Sequence, residues 1–425
     1  MTINSLAFGH AAVDITLPQG RVVEVLKAQS LEALSEPESA LLDAFQQPIQ
    51  SQPLSELLTS QDRIVIVIPD KTRSCGADIV LPVLVNYMNS FGITDEQIQL
   101  ILANGAHTSH GKSEIAAIVG ESIITRRLRI LEHDCHDNSQ LAYICDTGQE
   151  TPVYINKALI EADRIIVIST VVHHYFAGFG GGPKMIVPGC AGYETIRKNH
   201  ALTISESGGD IHPDCRSGNF KNPVQDDIQE AIEAIPVSLL IETVMNESVE
   251  IAAVFAGEMK DTHAKACEYI DTRYRYPIDR EFDLVIASCG GFPKDINMIQ
   301  SHKTLYNAFQ AVRKHGIILL LAECEQGMGS DTFMEWFVYK NKTALSKALI
   351  NDYRLNGTTA LSVISKAQQA HIILVTHLSG KLVEQMGLIP AATVADAFKL
   401  AEERLPERYD ICVIPNGSIT LPEVI

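Results

Sequence analysis

The sequence predicts an α/β protein of two domains, each built on a mainly parallel sheet, with a cleft between them. Two observations predict it. Short β-branched apolar runs alternate with amphipathic helical stretches, the pattern of repeated strand–helix–strand units. Charged or reactive side chains then follow several of those runs, and in open α/β sheets ligands bind outside the carboxyl ends of the strands.

The strands read in order as "RIVIVIP" (63–69), "IQLILANG" (98–105), "DRIIVISTVV" (163–172), "FDLVIASCGG" (282–291), "GIILLLAEC" (316–324), "HIILVTHL" (371–378) and "YDICVIPNG" (409–417). Between them, 79–91, 112–119, 224–235, 302–314 and 344–351 carry helical patterning. The break "YRYPIDRE" (274–281) precedes a fresh strand. It divides the chain into an N-terminal domain over 1–275 and a smaller C-terminal domain over 276–425. The tail after about residue 400 is expected to return to the first domain.

Composition narrows the function. A chain of 425 residues has room for two domains and a large core. The formal net charge of −18 argues against nucleic acid or an anionic membrane as partner. It leaves room for a small anionic ligand, because local basic groups outvote a distant field. The nine cysteines are odd in number, irregularly spaced and contain no C-x-x-C, so neither a disulfide framework nor a zinc ribbon is expected. Reduced thiols, an opening "MTINSLAFGHAAVDITLP" without signal-peptide character, and apolar runs too short to span a bilayer point to the cytoplasm.

The residues after each strand carry the chemistry. Asp70, Lys71, Thr72 and Arg73 follow the first; "NGAHTSHGKSE", with His107, His110 and Glu114, follows the second. His173 and His174 follow the third, and "GGFPKDINMIQSHK", with Lys294, Asp295, Gln300 and Lys303, follows the fourth. Imidazole changes charge near neutral pH, so histidines at two strand ends suit acid/base work from two directions. Each group also has a purely structural reading: Asp70 as a helix cap paired with Arg73, and the histidines as satisfied loop residues. Gln300 and Lys303 lie three apart, hence on one face of a helix that starts near Asp295.

"HHYFAGFGGGPKMIVPG" (173–189) places Gly178, Gly180, Gly181 and Gly182 ahead of Lys184. Backbone N–H groups in such a loop can cradle phosphate. Pro183 and the lack of a following Ser or Thr separate it from a P-loop. Glycine also lets a bulky group approach the backbone, and a lysine there is a candidate for covalent attachment. "EHDCHD" (132–137) has metal-ligand residue types, but neighbours alternate faces on a strand, so it reads as surface structure.

Taken together, D-x-T-R (Asp70–Arg73), G-x-H-x₆-E (Gly105, His107, Glu114), H-Y-F-A-G-F-x-G-G-x-K (His174–Lys184), Y-E-x₅-H (Tyr193–His200) and G-G-x-P-x-D-x₄-Q-x₂-K (Gly290–Lys303) resemble the nickel-dependent lactate racemase family. "AECEQGMGS" (322–330) and "PNGS" (415–418) extend the likeness over nearly the whole chain. The resemblance implies a nickel pincer nucleotide, a pyridinium-3-thioamide-5-thiocarboxylic acid mononucleotide that holds nickel and is covalently tethered to lysine. Lys184 would be the tether and His200 the nickel ligand; soft sulfur donors and planar geometry suit nickel. Gly180, Gly181 and Gly182 would give the cofactor room and N–H groups, with Thr72 also at the cofactor and Asp70 either there or orienting one of the two histidines.

The implied reaction inverts a small 2-hydroxy acid by hydride transfer, with His107 and His174 as the acid/base pair. Arg73, Gln300 and Lys303 would hold the substrate carboxylate. Cofactor-biosynthesis proteins would be transient partners. Phe176, Phe179 and Met298 are candidates to line the substrate pocket, and His302 to meet a polar substituent. Two other readings stay open. One is a metal-dependent hydrolase or lyase with His107, His174 and His200 as zinc ligands. The other is a non-catalytic protein that binds a phosphorylated ligand.

Overall fold

The computed structural model describes residues 2–18, 21–205 and 207–425. The chain forms two compact units. One comprises Ser30–His200 and Gly218–Asp271; the other comprises Met1–Gln29, Ala201–Ser217 and Thr272–Ile425.

The first unit is built on a six-stranded sheet. In spatial order its strands are Ile251–Gly257, Val237–Met245, Arg164–Thr170, Ile64–Pro69, Ile98–Ala103 and Arg129–Glu132. All neighbouring pairs are parallel except the first, which is antiparallel. Strands covered on both faces run largely apolar. Accordingly every residue of "IVIVIP" is buried, and so are all but one of "IQLILA". Ile66, Ile68, Leu100, Leu102, Ile166 and Ile168 pack on Val80, Leu81 and Leu84 of the helix Ala77–Ser90.

The strand order fixes where a ligand belongs. From Ile64–Pro69 the chain adds strands on one side through Ile98–Ala103 and Arg129–Glu132. It then returns to the other side with Arg164–Thr170. The two strands that flank this reversal open a crevice at their carboxyl ends. Asp70 follows the first, and the 171–184 segment follows the second.

The second unit carries a six-stranded, all-parallel sheet. Its order is Ile389–Ala391, His371–Val375, Val312–Leu321, Phe282–Ser288, Ile411–Ile414 and Val23–Val25. The direction of strand addition again reverses, beside Phe282–Ser288. Residues past 400 differ from the expected return to the first domain. Ile411–Ile414 lies between Phe282–Ser288 and Val23–Val25, and Leu421–Val424 pairs with Arg275–Ile278. The extreme N-terminus also belongs to this unit. Its hairpin, Thr2–Phe8 with Ala11–Thr16, ties Gly9 N–H to the Asp295 carboxylate at 2.7 Å.

The helix expected over 302–314 instead spans Met298–Phe309, capped by the Asn297 side chain, and strand begins at Val312. Among the described residues no helix is long and apolar enough to cross a membrane. Leu100 has no solvent exposure and packs within the first unit's core. Leu100→Ala should cost about 2–5 kcal/mol of stability, read as a lower urea midpoint with an unchanged slope.

Candidate active site

At the carboxyl end of Ile64–Pro69 the chain turns sharply, with Arg73 N–H donating to the Asp70 carbonyl at 3.1 Å. Asp70 is 4% exposed. Its Oδ1 accepts from the Thr72 N–H (3.1 Å) and hydroxyl (2.6 Å), and its Oδ2 meets His107 Nδ1 at 2.6 Å. Burial pushes the Asp70 carboxyl up, but the hydrogen bond and charge of His107, then Thr72 and Arg73, outweigh it and hold the pKa below the usual value. Asp70 is therefore an anion at neutral pH, so His107 Nδ1 must donate. When the His107 ring is neutral, its Nε2 presents a lone pair.

His107 reaches Asp70 because the strand Ile98–Ala103 ends in a tight turn. Gly105 has φ +54°, and its N–H donates to the Gly189 carbonyl at 2.9 Å. The remaining polar residues of this stretch are occupied elsewhere. His110 bonds Glu132 at 2.8 Å, while Glu114 accepts from Gly111 N–H and pairs with Lys71 at 2.6 Å.

After Arg164–Thr170 the chain makes a small hairpin, Val172–His174 against Gly178–Gly180, and then a 3₁₀ turn over Gly182–Met185. Phe176, at the tip, is the hub of this segment. Its ring lies 4.4 Å from the His174 ring and 5.2 Å from the His200 ring, edge-on in both cases. Lys184 Nζ stands 5.0 Å over its centroid. The first unit thus brings His174, Lys184 and His200 together around one aromatic side chain. His174 Nδ1 accepts a hydrogen bond from Ala177 N–H at 3.3 Å, so its neutral ring carries the proton on Nε2. In their neutral forms His107 and His174 are therefore opposite tautomers, the first with a lone pair at Nε2 and the second with a proton there.

Lys184 is 4% exposed. His200 ends the helix Tyr193–Ala201, and burial, then the Lys184 charge, lower its pKa to about 3. It is a neutral imidazole, the form that ligates metals. Burial also lowers the Arg73 pKa, against the pull of Asp70.

Gly182 differs from the expected N–H donor to a cofactor. Gly182 N–H donates to Ser169 Oγ at 3.0 Å and is not offered to a ligand. Gly180 pairs with Val172 in the hairpin. A Cβ on Gly181 would overlap the Glu242 carboxylate, and one on Gly182 the His263 ring. The loop is glycine because buried side chains lie directly beneath it.

In the second unit, Gln300 and Lys303 share a face of Met298–Phe309, and Lys303 Nζ donates to Gln300 Oε1 at 2.7 Å. Two neighbours differ from expectation. Met298 is fully buried in that unit's core, and His302 points inward to Ser362 Oγ at 2.7 Å. The Phe179 ring packs at a tilt against both His173 and Phe220. In the 132–137 segment His133 and Cys135 are buried rather than surface residues, and His133 bonds the Ala191 carbonyl and Asn156. Among the described residues no three His, Cys, Asp or Glu side chains converge as a metal site, as a zinc centre of His107, His174 and His200 requires.

Asp70→Asn removes a buried charge-assisted pair and should cost about 1.5–3 kcal/mol at neutral pH. A carboxyl with a lowered folded-state pKa stabilises above its unfolded pKa and loses that contribution as pH falls through the folded value. Urea titrations of both proteins should therefore converge at acid pH, below about 4.

Comparison with known proteins places these features. The family described as "Lactate racemase N-terminal domain" matches residues 8–210, and that described as "Lactate racemase C-terminal domain" matches residues 279–421. The lactate racemase of Lactiplantibacillus plantarum is 30% identical over 378 residues, covering 87% of each chain. That of Thermoanaerobacterium thermosaccharolyticum is 28% identical over 421 residues, covering 97% of each. The structure of the lactate racemase apoprotein from the latter organism superposes with a TM-score of 0.89 at 26% identity, over 99% of this chain and 100% of that one. A Thermotoga maritima protein at 20% identity shares the fold, with a TM-score of 0.70 over 93% of this chain and 100% of that one.

Proposed function

Because the chain belongs to the lactate racemase family and is a racemase, we propose that it inverts a small 2-hydroxy acid, lactate or a near relative, with Lys184 carrying a covalent nickel pincer nucleotide. The observation that carries this reading is the grouping of Lys184, His200 and His174 around Phe176. A buried amine beside an aromatic face fits a tethered pyridinium ring. A neutral imidazole at His200 fits a metal ligand. When bound, the cofactor supplies the hydride acceptor and donor that amino-acid side chains lack.

This chain's own residues supply proton transfer and placement. With Nδ1 committed to Asp70, His107 takes the substrate hydroxyl proton at Nε2. His174 is the complementary donor in its imidazolium form, giving up one proton to leave a neutral ring as His107 becomes charged. One turnover exchanges the two states, so the reverse reaction begins where the forward one ends. Asp70 orients His107 and stabilises it when charged, and Thr72 orients Asp70. Arg73 in the first unit, and Gln300 with Lys303 in the second, are each candidates to bind a carboxylate. An oxidation–reduction at C2 needs no zinc-bound water, and the absence of three converging ligands among the described residues favours it over the hydrolase reading. Cofactor-building enzymes as transient partners and a reducing, cytoplasmic setting belong to the same reading; none of the nine cysteines forms a disulfide.

Protein co-expressed with cofactor-building enzymes should carry a nickel-containing adduct on Lys184, visible by intact and peptide mass and absent from Lys184→Ala. An unmodified Lys184, under conditions that load a known relative, would overturn the assignment. His107→Asn and His174→Asn should each lower kcat about 10²–10⁴-fold with the adduct retained, read by chiral analysis across a panel of 2-hydroxy acids.

A further inference from the structure

Beneath the glycine loop lies a buried polar chain that the reaction does not use. Gly182 N–H donates to Ser169 Oγ (3.0 Å), and Ser169 donates to Glu242 Oε1 (3.1 Å). Glu242 Oε2 meets His263 Nδ1 at 2.8 Å, and His263 Nε2 meets Cys267 Sγ at 3.4 Å. Glu242 and Cys267 have no solvent exposure, and His263 has 4%. Glu, His and Cys in this order resemble a nucleophilic triad, but nothing reaches the sulfur. Burial, then Glu242 and Asp271, push the thiol pKa well above its usual value, so it stays protonated. The directions are then consistent: Cys267 S–H donates to His263, His263 Nδ1–H donates to Glu242, and Ser169 O–H donates to Glu242.

A second contact comes from the same helix face. His263, Cys267 and Asp271 follow at intervals of four on the helix Met259–Tyr274, and so form one stripe. Asp271 Oδ1 meets His173 Nε2 at 2.8 Å. His173 immediately precedes His174 in the hairpin. One stripe thus holds both the loop that bears Lys184 and the strand that bears His174.

We propose that Ser169, Glu242 and His263 are positioning residues for Lys184, and Asp271 for His174, so that a single helix face sets the distance between the tether and the proton donor. This rests on the assignment of Lys184 as the tether. Two glycines are required above Glu242 and His263, which locks the loop to the brace rather than letting it swing.

The test uses Ser169→Ala, with Glu242→Gln as a second variant and Asp271→Asn as a third. In the unloaded Ser169→Ala protein, residue-resolved hydrogen exchange should rise about fivefold at the Gly182 amide, the loss of one hydrogen bond, with strands of the sheet unchanged. On co-expression, the fraction of Lys184 bearing the adduct should fall about as much. Asp271→Asn should load normally, and its loaded fraction should show a lower kcat with an unchanged KM. Wild-type protein that loads, beside Ser169→Ala and Glu242→Gln proteins with normal exchange at Gly182 and normal loading, would overturn the positioning role and leave the tether standing. Exchange raised throughout the unit would reduce the chain to general stability and overturn the role as well. Wild-type protein that never acquires an adduct would overturn the tether itself.

Discussion

Parallel strands covered on both faces leave little place for polar chemistry along their length, and this constraint organises the molecule. "IVIVIP" spends six residues entirely inside the core. The first position at which a charge can be held is the turn that follows, and Asp70 occupies it. Ile98–Ala103 and Arg164–Thr170 repeat the rule, delivering His107 and the 171–184 segment to the same edge. The reversal of strand order beside Ile64–Pro69 then opens a crevice between those ends. Position, rather than any single residue, creates the site.

Within that unit two local contacts decide which ring nitrogen is engaged. The Asp70 carboxylate takes Nδ1–H of His107, and a backbone N–H at Ala177 donates to Nδ1 of His174. Neither histidine relies on the other for this. In their neutral forms the two rings therefore differ at Nε2, one with a lone pair and one with a proton. Phe176 adds an apolar wall shared by His174, Lys184 and His200, and burial near the lysine keeps His200 uncharged.

Much of this was legible in the residues. Apolar runs and the polar groups after them located the strands and the reactive edge, and motif resemblance singled out Lys184 and His200. What was illegible had a physical reason. Glu242 lies in "VSLLIETVM", where one charge in a buried strand is a signal, but its partner His263 is 21 residues away on a helix whose facing side no periodicity reveals. The glycines read as a phosphate cradle because sequence cannot show that Ser169 already holds the Gly182 N–H. Met298 and His302 sit beside Gln300 in sequence, yet a helix turns them into the core. The N-terminal strand Val23–Val25 joins the sheet of the second unit, a pairing nearly four hundred residues apart that local patterning cannot encode.

The bond between Lys303 and Gln300 has a consequence for selectivity. The ammonium already rests on a neutral carbonyl oxygen 2.7 Å away. An ammonium has three N–H donors, and Gln300 occupies one of them. In the proposed reading an arriving substrate carboxylate meets another, and its formal charge roughly doubles the strength of that bond over what an ester or amide carbonyl offers. Gln300 then holds the ammonium in place, and charge alone sorts carboxylates from their uncharged derivatives.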